Sequence, residues 1–273
     1  MEILGFGFMQ RALIAGALIG TLCAVVGVYV VLRGLAFMGA GISHTSLGGV
    51  AIGVLLGVNP IWSAVVFGVL TGWAIGFASR RGQVREDTAI GIFFASGMAL
   101  GVMLIGLRQG YQVDLLSYLF GSITAVTIQD VWTTVVITIL VLGAVIVLFK
   151  DLMFSIFDPE MAQVTGVPAD KLYYLLITMI ALTVVISIKV VGIVLVSALI
   201  VIPAAAAYQL TESFRKMMAL SIVFGAGSTI AGLLLSAVLR ISSGATIVLL
   251  ATVIFGLCAL FSPRRRRGKE AVL

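Results

Sequence analysis

Residues 38–49 read MGAGISHTSLGG and contain His44, the only histidine in the chain. Imidazole is a borderline ligand that suits zinc, iron and, less tightly, manganese. One imidazole makes a weak and open site, and that favours a site through which an ion must pass. Water, Ser43, Thr45 or the same histidine of a second copy would complete the coordination. The competing role is structural, with His44 donating to a carbonyl on a neighbouring helix and holding a bundle together. Ser43 and His44 do not make a nucleophile and base, because adjacent helical residues point about 100° apart and no second histidine exists.

Other chemistry-bearing residues are sparse. Asp114 lies near a plausible outer entrance, and Glu86 and Asp87 near a plausible exit, each also readable as a solvated charge at a helix end. Cys23 and Cys258 are far apart in apolar stretches and offer neither a disulfide framework nor metal-ligand spacing. The ten methionines are scattered as packing residues.

The second informative stretch is FDPEMAQVTGVPADK, residues 157–171. Asp158 suits an N-cap, Pro159 the first helical position, and Glu160 the positive end of the helix dipole. Gly166 suits a C-terminal stop, with Pro168 beyond it. The result is a helix of about two turns, too short to be stable in water alone. It is either a capped connector on the headgroups or an element built to be gripped by a partner.

The elements that must position these residues are membrane helices. The chain is 61% hydrophobic and 10% charged, where a soluble domain carries about a quarter charged residues. A span needs about 20 mostly apolar residues. Nine stretches qualify, beginning near Phe8, Phe37, Pro60, Thr88, Val131, Leu172, Val190, Met217 and Ser242, with eight or ten also open. The sixth and seventh are divided only by Lys189 and Gly192. The expected fold is therefore an all-α polytopic bundle forming one domain over residues 1–273 and crossing a membrane several times. The start, MEILGFGFMQ, has an acid where a secretory leader would be basic, so the first span is expected to stay.

Positive charges set the orientation. On one side lie Arg33, Arg80, Arg81, Arg85, Lys150, Lys171, Arg215, Lys216, the run Arg264, Arg265, Arg266, Arg267, and Lys269. On the other lie only Arg11, Arg108, Lys189 and Arg240. The richer side is expected to be cytoplasmic, with the C-terminus inside and the N-terminus outside. The basic tail, residues 263–273, then sits beside anionic lipid and does not imply nucleic acid. The outer segment around residues 108–130 is expected to fold as short helices at the membrane surface. In the span that holds His44, Gly41, Thr45, Gly49, Gly53 and Gly57 recur every four residues, a small-residue stripe for close helix packing, with His44 one position off it.

FDPEMAQVTGV resembles the cytoplasmic coupling segment of membrane subunits in ATP-binding-cassette importers, matching at Asp158, Pro159, Glu160, Ala162 and Gly166. RGLAFMGAGISHTSLGGVAIG (33–53), EDTAIGIFFASGMALG (86–101), DLLSYLFGSI (114–123) and VGIVLVSALIVIPAAAA (191–207) resemble one branch, the permeases for zinc, manganese or iron. The resemblance implies a permease homodimer, two separate ATPase subunits gripping the coupling segment at 150–171, and an extracytoplasmic metal-binding protein. It also implies that His44 faces the metal path. The family's matching segment often reads Gly-Asp-Ala-x-Ser-His; here Ala40 stands at the Asp, and Arg240 and Ser242 stand where relatives often carry an acid and a proline.

The function so implied is a transport subunit, not an enzyme, with the metal as cargo and no permanent cofactor. Zinc is favoured over manganese and iron, from an imidazole with few carboxylates. No Gly-x-x-x-x-Gly-Lys-Ser/Thr loop occurs, so if transport is ATP-driven the motor must be another polypeptide. An ATP-independent secondary transporter is the alternative, and an intramembrane enzyme a more distant one.

Overall fold

The computed structural model describes residues 7–82, 84–107, 121 and 126–263. Most of the expected outer surface segment, Asp114 included, and the basic tail from Arg264 onward lie outside the described residues.

The described residues form eleven helices: α1 (Gly7–Arg33), α2 (Ala36–Leu56), α3 (Pro60–Arg81), α4 (Glu86–Gly106), α5 (Ile128–Val147), α6 (Phe149–Phe157), α7 (Pro159–Val164), α8 (Ala169–Val191), α9 (Ile193–Leu210), α10 (Phe214–Leu239) and α11 (Ser243–Leu260). All but α6 and α7 are long and apolar enough to cross a membrane, which gives nine spans among the described residues. In a bilayer every backbone group must be satisfied within the chain, and helices do this segment by segment.

Helix ends follow local chemistry. Thr127 and Asp130 exchange bonds in a capping box, starting α5 at Ile128, three residues before the apolar run alone predicts. Asn59 accepts from the Ile61 N–H at 3.0 Å and Pro60 opens α3. Gly192, at φ 93° and ψ 157°, is the single residue between α8 and α9; a side chain there would be strained, so the sixth and seventh spans divide at this glycine.

Packing is closest where both helices lack bulk. A Cβ on Gly20 of α1 would lie 2.6 Å from the Gly225 carbonyl oxygen of α10, and one on Gly225 would lie 2.5 Å from that of Gly20. On α2, added Cβ atoms at Gly49 and Gly53 would meet α3 backbone at Ala64 and Pro60, at 2.7 and 2.8 Å, and one at Gly41 would meet Ile90 of α4 at 2.8 Å. Gly57 has a different role from the rest of the stripe: at φ 68° it ends α2, its N–H bonds the Gly53 carbonyl, and nothing lies within 4 Å of its Cβ position. α1 and α8 are the most enclosed spans and α4 the least. α4 packs mainly on α2, with a smaller contact on α3.

Candidate functional site: an imidazole face, a capped turn and a buried tyrosine

His44 is half-buried on α2, its ring 4.5 Å from the Phe94 ring of α4 at 57°. No hydrogen bond to the imidazole occurs among the described residues, so the bond to a neighbouring carbonyl expected of a purely structural histidine is not present there. The flanking hydroxyls are committed elsewhere. Ser43 donates to the Ala40 carbonyl at 3.0 Å and Thr45 to the Gly41 and Ile42 carbonyls at 2.9 and 3.0 Å, and both are buried. Ser43 and Thr45 are thus not brought to His44 as ligands. On the same side of α2, one and two turns earlier, Ala40 is half-buried and Phe37 is exposed. Among the described residues no three His, Cys, Asp or Glu side chains cluster closely enough to hold a metal. The chain therefore offers a single imidazole on a partly open face, which by itself could make transient contact with a cation but not a closed site.

The turn predicted at residues 158–166 forms as α7. The Asp158 carboxylate accepts from the Met161 N–H at 2.9 Å, and Pro159 takes the first position. At the other end the Val167 N–H reaches the Ala162 carbonyl at 2.9 Å and the Gly166 N–H the Gln163 carbonyl at 3.1 Å, the paired bonds of a Schellman stop. That stop puts Gly166 at φ 87°. Ala162 is buried, which a small residue permits, while Pro159, Glu160, Met161 and Val164 face outward, Val164 with 82% of its surface exposed. Phe157, the last residue of α6, is exposed beside them. The element is a preformed patch of apolar side chains around one carboxylate.

Sequence spacing gave no warning of a third arrangement, at the same end of the bundle. Tyr173 of α8 is only 3% exposed, and its hydroxyl donates to the Glu86 carboxylate of α4 at 2.7 Å. The Arg80 guanidinium of α3 lies 4.1 Å from the Tyr173 ring centroid and pairs with Asp170; the Arg33 guanidinium of α1 lies 5.7 Å from the same ring. Arg33 also donates to the Ser155 carbonyl of α6 at 2.5 Å. Glu86, expected near an exit, is therefore held by a phenol, and Asp87 beside it is exposed.

At the opposite end, Lys189 of α8 pairs with Asp130 of α5 at 2.6 Å, and Thr127 gives the same carboxylate a backbone N–H at 2.8 Å and its hydroxyl at 2.5 Å. The pair borders a cavity of about 250 Å³ lined also by Asn59 and Thr134. Cys23 is buried, its thiol sharing a 3.8 Å hydrogen bond with the Ser187 hydroxyl.

Residues 5–262 match the ABC 3 transport family. The manganese transport system membrane protein MntC of Halalkalibacterium halodurans is 42% identical over 99% of this chain and 94% of its own. The manganese import system permease protein ScaB of Streptococcus parasanguinis is 40% identical over 98% of this chain and 95% of its own. A probable iron transport system membrane protein of Haemophilus influenzae is 33% identical over 98% of each. Among solved structures, PsaBC from Streptococcus pneumoniae in complex with Fab superposes with a TM-score of 0.89 at 34% identity, covering 99% of this chain and 97% of that one.

Proposed function

Because the chain belongs to the ABC 3 transport family, as a permease subunit of an ATP-binding-cassette metal importer, we propose that its cargo is manganese and that its two copies carry the ion past paired His44 side chains. The observation that carries this reading is the match to manganese permeases over nearly the whole chain. The zinc preference expected from an imidazole with few carboxylates finds no support in these relatives, and manganese replaces it.

The face of α2 that carries exposed Phe37 and half-buried Ala40 and His44 is left for a second copy to cover about a two-fold axis. Across that axis two imidazoles supplement each other, and water fills the remaining positions of a cation that prefers oxygen. With alanine at position 40 no carboxylate offsets the cation's charge, so binding is weak and release is fast. The small-residue seam of α2 lets this helix shift against α3 and α4 as a unit.

The motor is a separate ATPase, one on each permease copy, which grips α7 through Glu160, Met161 and Val164. Its side of the bundle is the cytoplasm. Contacts bring Arg33, Arg80 and the α7 segment to one end, the end with the excess of lysine and arginine. The metal is delivered from the opposite face by an extracytoplasmic binding protein.

The test is uptake of manganese, iron and zinc by cells in which this permease and its ATPase are the only import route. His44→Ala is expected to lower manganese uptake roughly tenfold or more, the scale on which losing a metal's supporting group is felt. Unchanged uptake of all three ions would remove His44 from the path, and a zinc response larger than that for manganese would overturn the choice of cargo.

A further inference from the structure

α4 is the least enclosed span, and its packing is on α2 and, to a smaller extent, α3. It nevertheless carries Phe94, whose ring lies on His44. Its first residue, Glu86, receives the hydroxyl of Tyr173, a buried residue near the start of α8 and nine residues beyond the α7 helix. That hydrogen bond ties α4 to a helix on which it otherwise has little grip.

The phenol ring is in turn fixed by groups from other elements. Arg80 of α3 lies over it and is itself held by Asp170. Arg33 of α1 lies on it at 5.7 Å and donates to the Ser155 carbonyl of α6, the helix that leads into α7 through Asp158. Contiguous contacts thus run from the docking turn through Ser155, Arg33, Tyr173 and Glu86 to α4, and from Phe94 to His44. A low-dielectric site strengthens each polar link, and a phenol donating to a carboxylate is among the stronger neutral-donor bonds.

Resting on the proposed ATPase docking at α7, we propose that Tyr173 is a positioning residue: it tethers α4 while the docking turn is at rest and releases it when the ATPase displaces α6. Arg33 sets the ring in place and Glu86 receives the tether. Tyr173→Phe keeps the ring and its two guanidinium neighbours and removes one hydroxyl, so it isolates the tether from the packing.

Two measurements test this on the full permease. In lipid nanodiscs without ATPase, spin labels on the exposed positions Asp87→Cys of α4 and Lys171→Cys of α8 report the distance between the two helix starts. A narrow distribution is expected with Tyr173 and a broadened or longer one in Tyr173→Phe. In proteoliposomes with the companion ATPase, Tyr173→Phe is expected to keep ATP hydrolysis within about twofold while manganese carried per ATP falls roughly tenfold, the scale of one hydrogen bond to a charged group. Glu86→Gln, which keeps an acceptor oxygen, is expected to fall less than Glu86→Ala, and Arg33→Lys to recover most of the loss in Arg33→Ala. An unchanged distance distribution in both Tyr173→Phe and Glu86→Ala overturns the tether whatever the ATPase does. An unchanged ratio of manganese to ATP overturns its part in coupling. Failure of the ATPase to bind the wild-type permease instead overturns the docking reading, and the distance measurement still decides the tether.

Discussion

Asp158→Ala is expected to weaken binding of the companion ATPase about fivefold although the exposed apolar patch of α7 is untouched. α7 has six residues, too few to hold a helix in water, so its shape depends on its two ends. The Asp158 bond to the Met161 N–H closes the first end, and losing such a cap costs about 1 kcal/mol. Gly166 closes the second at φ 87°, where an alanine costs about 1 to 2 kcal/mol. If unfolding of α7 must be reversed before the ATPase can grip it, these costs pass directly into affinity. One kilocalorie is about fivefold and two are about thirtyfold, so Asp158→Ala, Gly166→Ala and the double variant form a graded series. Binding is measured between the purified ATPase and the permease in nanodiscs. Asp158→Asn keeps a capping oxygen and should bind within about twofold of wild type, whereas Val164→Ala should lose affinity with α7 intact. Wild-type binding by both Asp158→Ala and Gly166→Ala would refute preorganisation of the turn. A loss in Asp158→Asn as large as in Asp158→Ala would mean that the carboxylate touches the ATPase and is not acting as a cap.

Three further outcomes follow from separate parts of the bundle. Lys189→Met leaves the Asp130 carboxylate its two bonds from Thr127, whereas Asp130→Asn strands an ammonium; thermal unfolding should show a larger loss for Asp130→Asn and a coupling of about 1 to 3 kcal/mol in the double variant, and additive losses would deny the pair any energetic weight. Gly225→Ala places a Cβ 2.5 Å from the Gly20 carbonyl oxygen and should destabilise by about 1 to 3 kcal/mol, while Gly227→Ala meets nothing within 4 Å and should be neutral or better in the same melt. Ala40→Asp sets a carboxylate one turn from His44, about 5 to 6 Å between Cβ atoms, and should lower the KM for manganese roughly tenfold in uptake assays; an unchanged KM would place this face of α2 off the path.

The nine spans were legible because a helix in lipid must be apolar for its whole length, and that requirement leaves an unbroken mark. Their ends were less so. The apolar run pointed to Val131 for the fifth span, but Thr127 and Asp130, both polar, begin the helix earlier by capping it. Gly57 was counted into a period-four packing stripe, yet α2 stops at Leu56 and the glycine turns the chain toward Asn59 and Pro60. A repeat of small residues records which face is narrow; it carries no information on where the helix stops, and the turn signal two residues on does.

The functional features divide along the same physical line. α7 was legible to the residue because every bond that shapes it joins positions at most five apart, so side-chain types in a short window determine it. His44 was visible as an outlier in an apolar helix, but the commitment of Ser43 and Thr45 to helix carbonyls was not, since a hydroxyl in a membrane helix can turn inward or outward with the same sequence. The Tyr173 cluster joins residues 87 and 122 positions apart, and nothing local announces it. Even there a constraint existed. Polar groups inside a membrane rarely stay unpaired, so each must find a partner at its own depth. Once the excess of positive charge assigns each helix end to a side, Lys189 requires a carboxylate near the opposite end from α7. Asp130 at the start of the preceding span, the fifth, meets that condition, and the pairing at 2.6 Å follows. Depth matching of this kind reaches pairs that periodicity cannot. It does not reach Tyr173, because at the crowded end several acids and arginines share one depth and only packing decides among them.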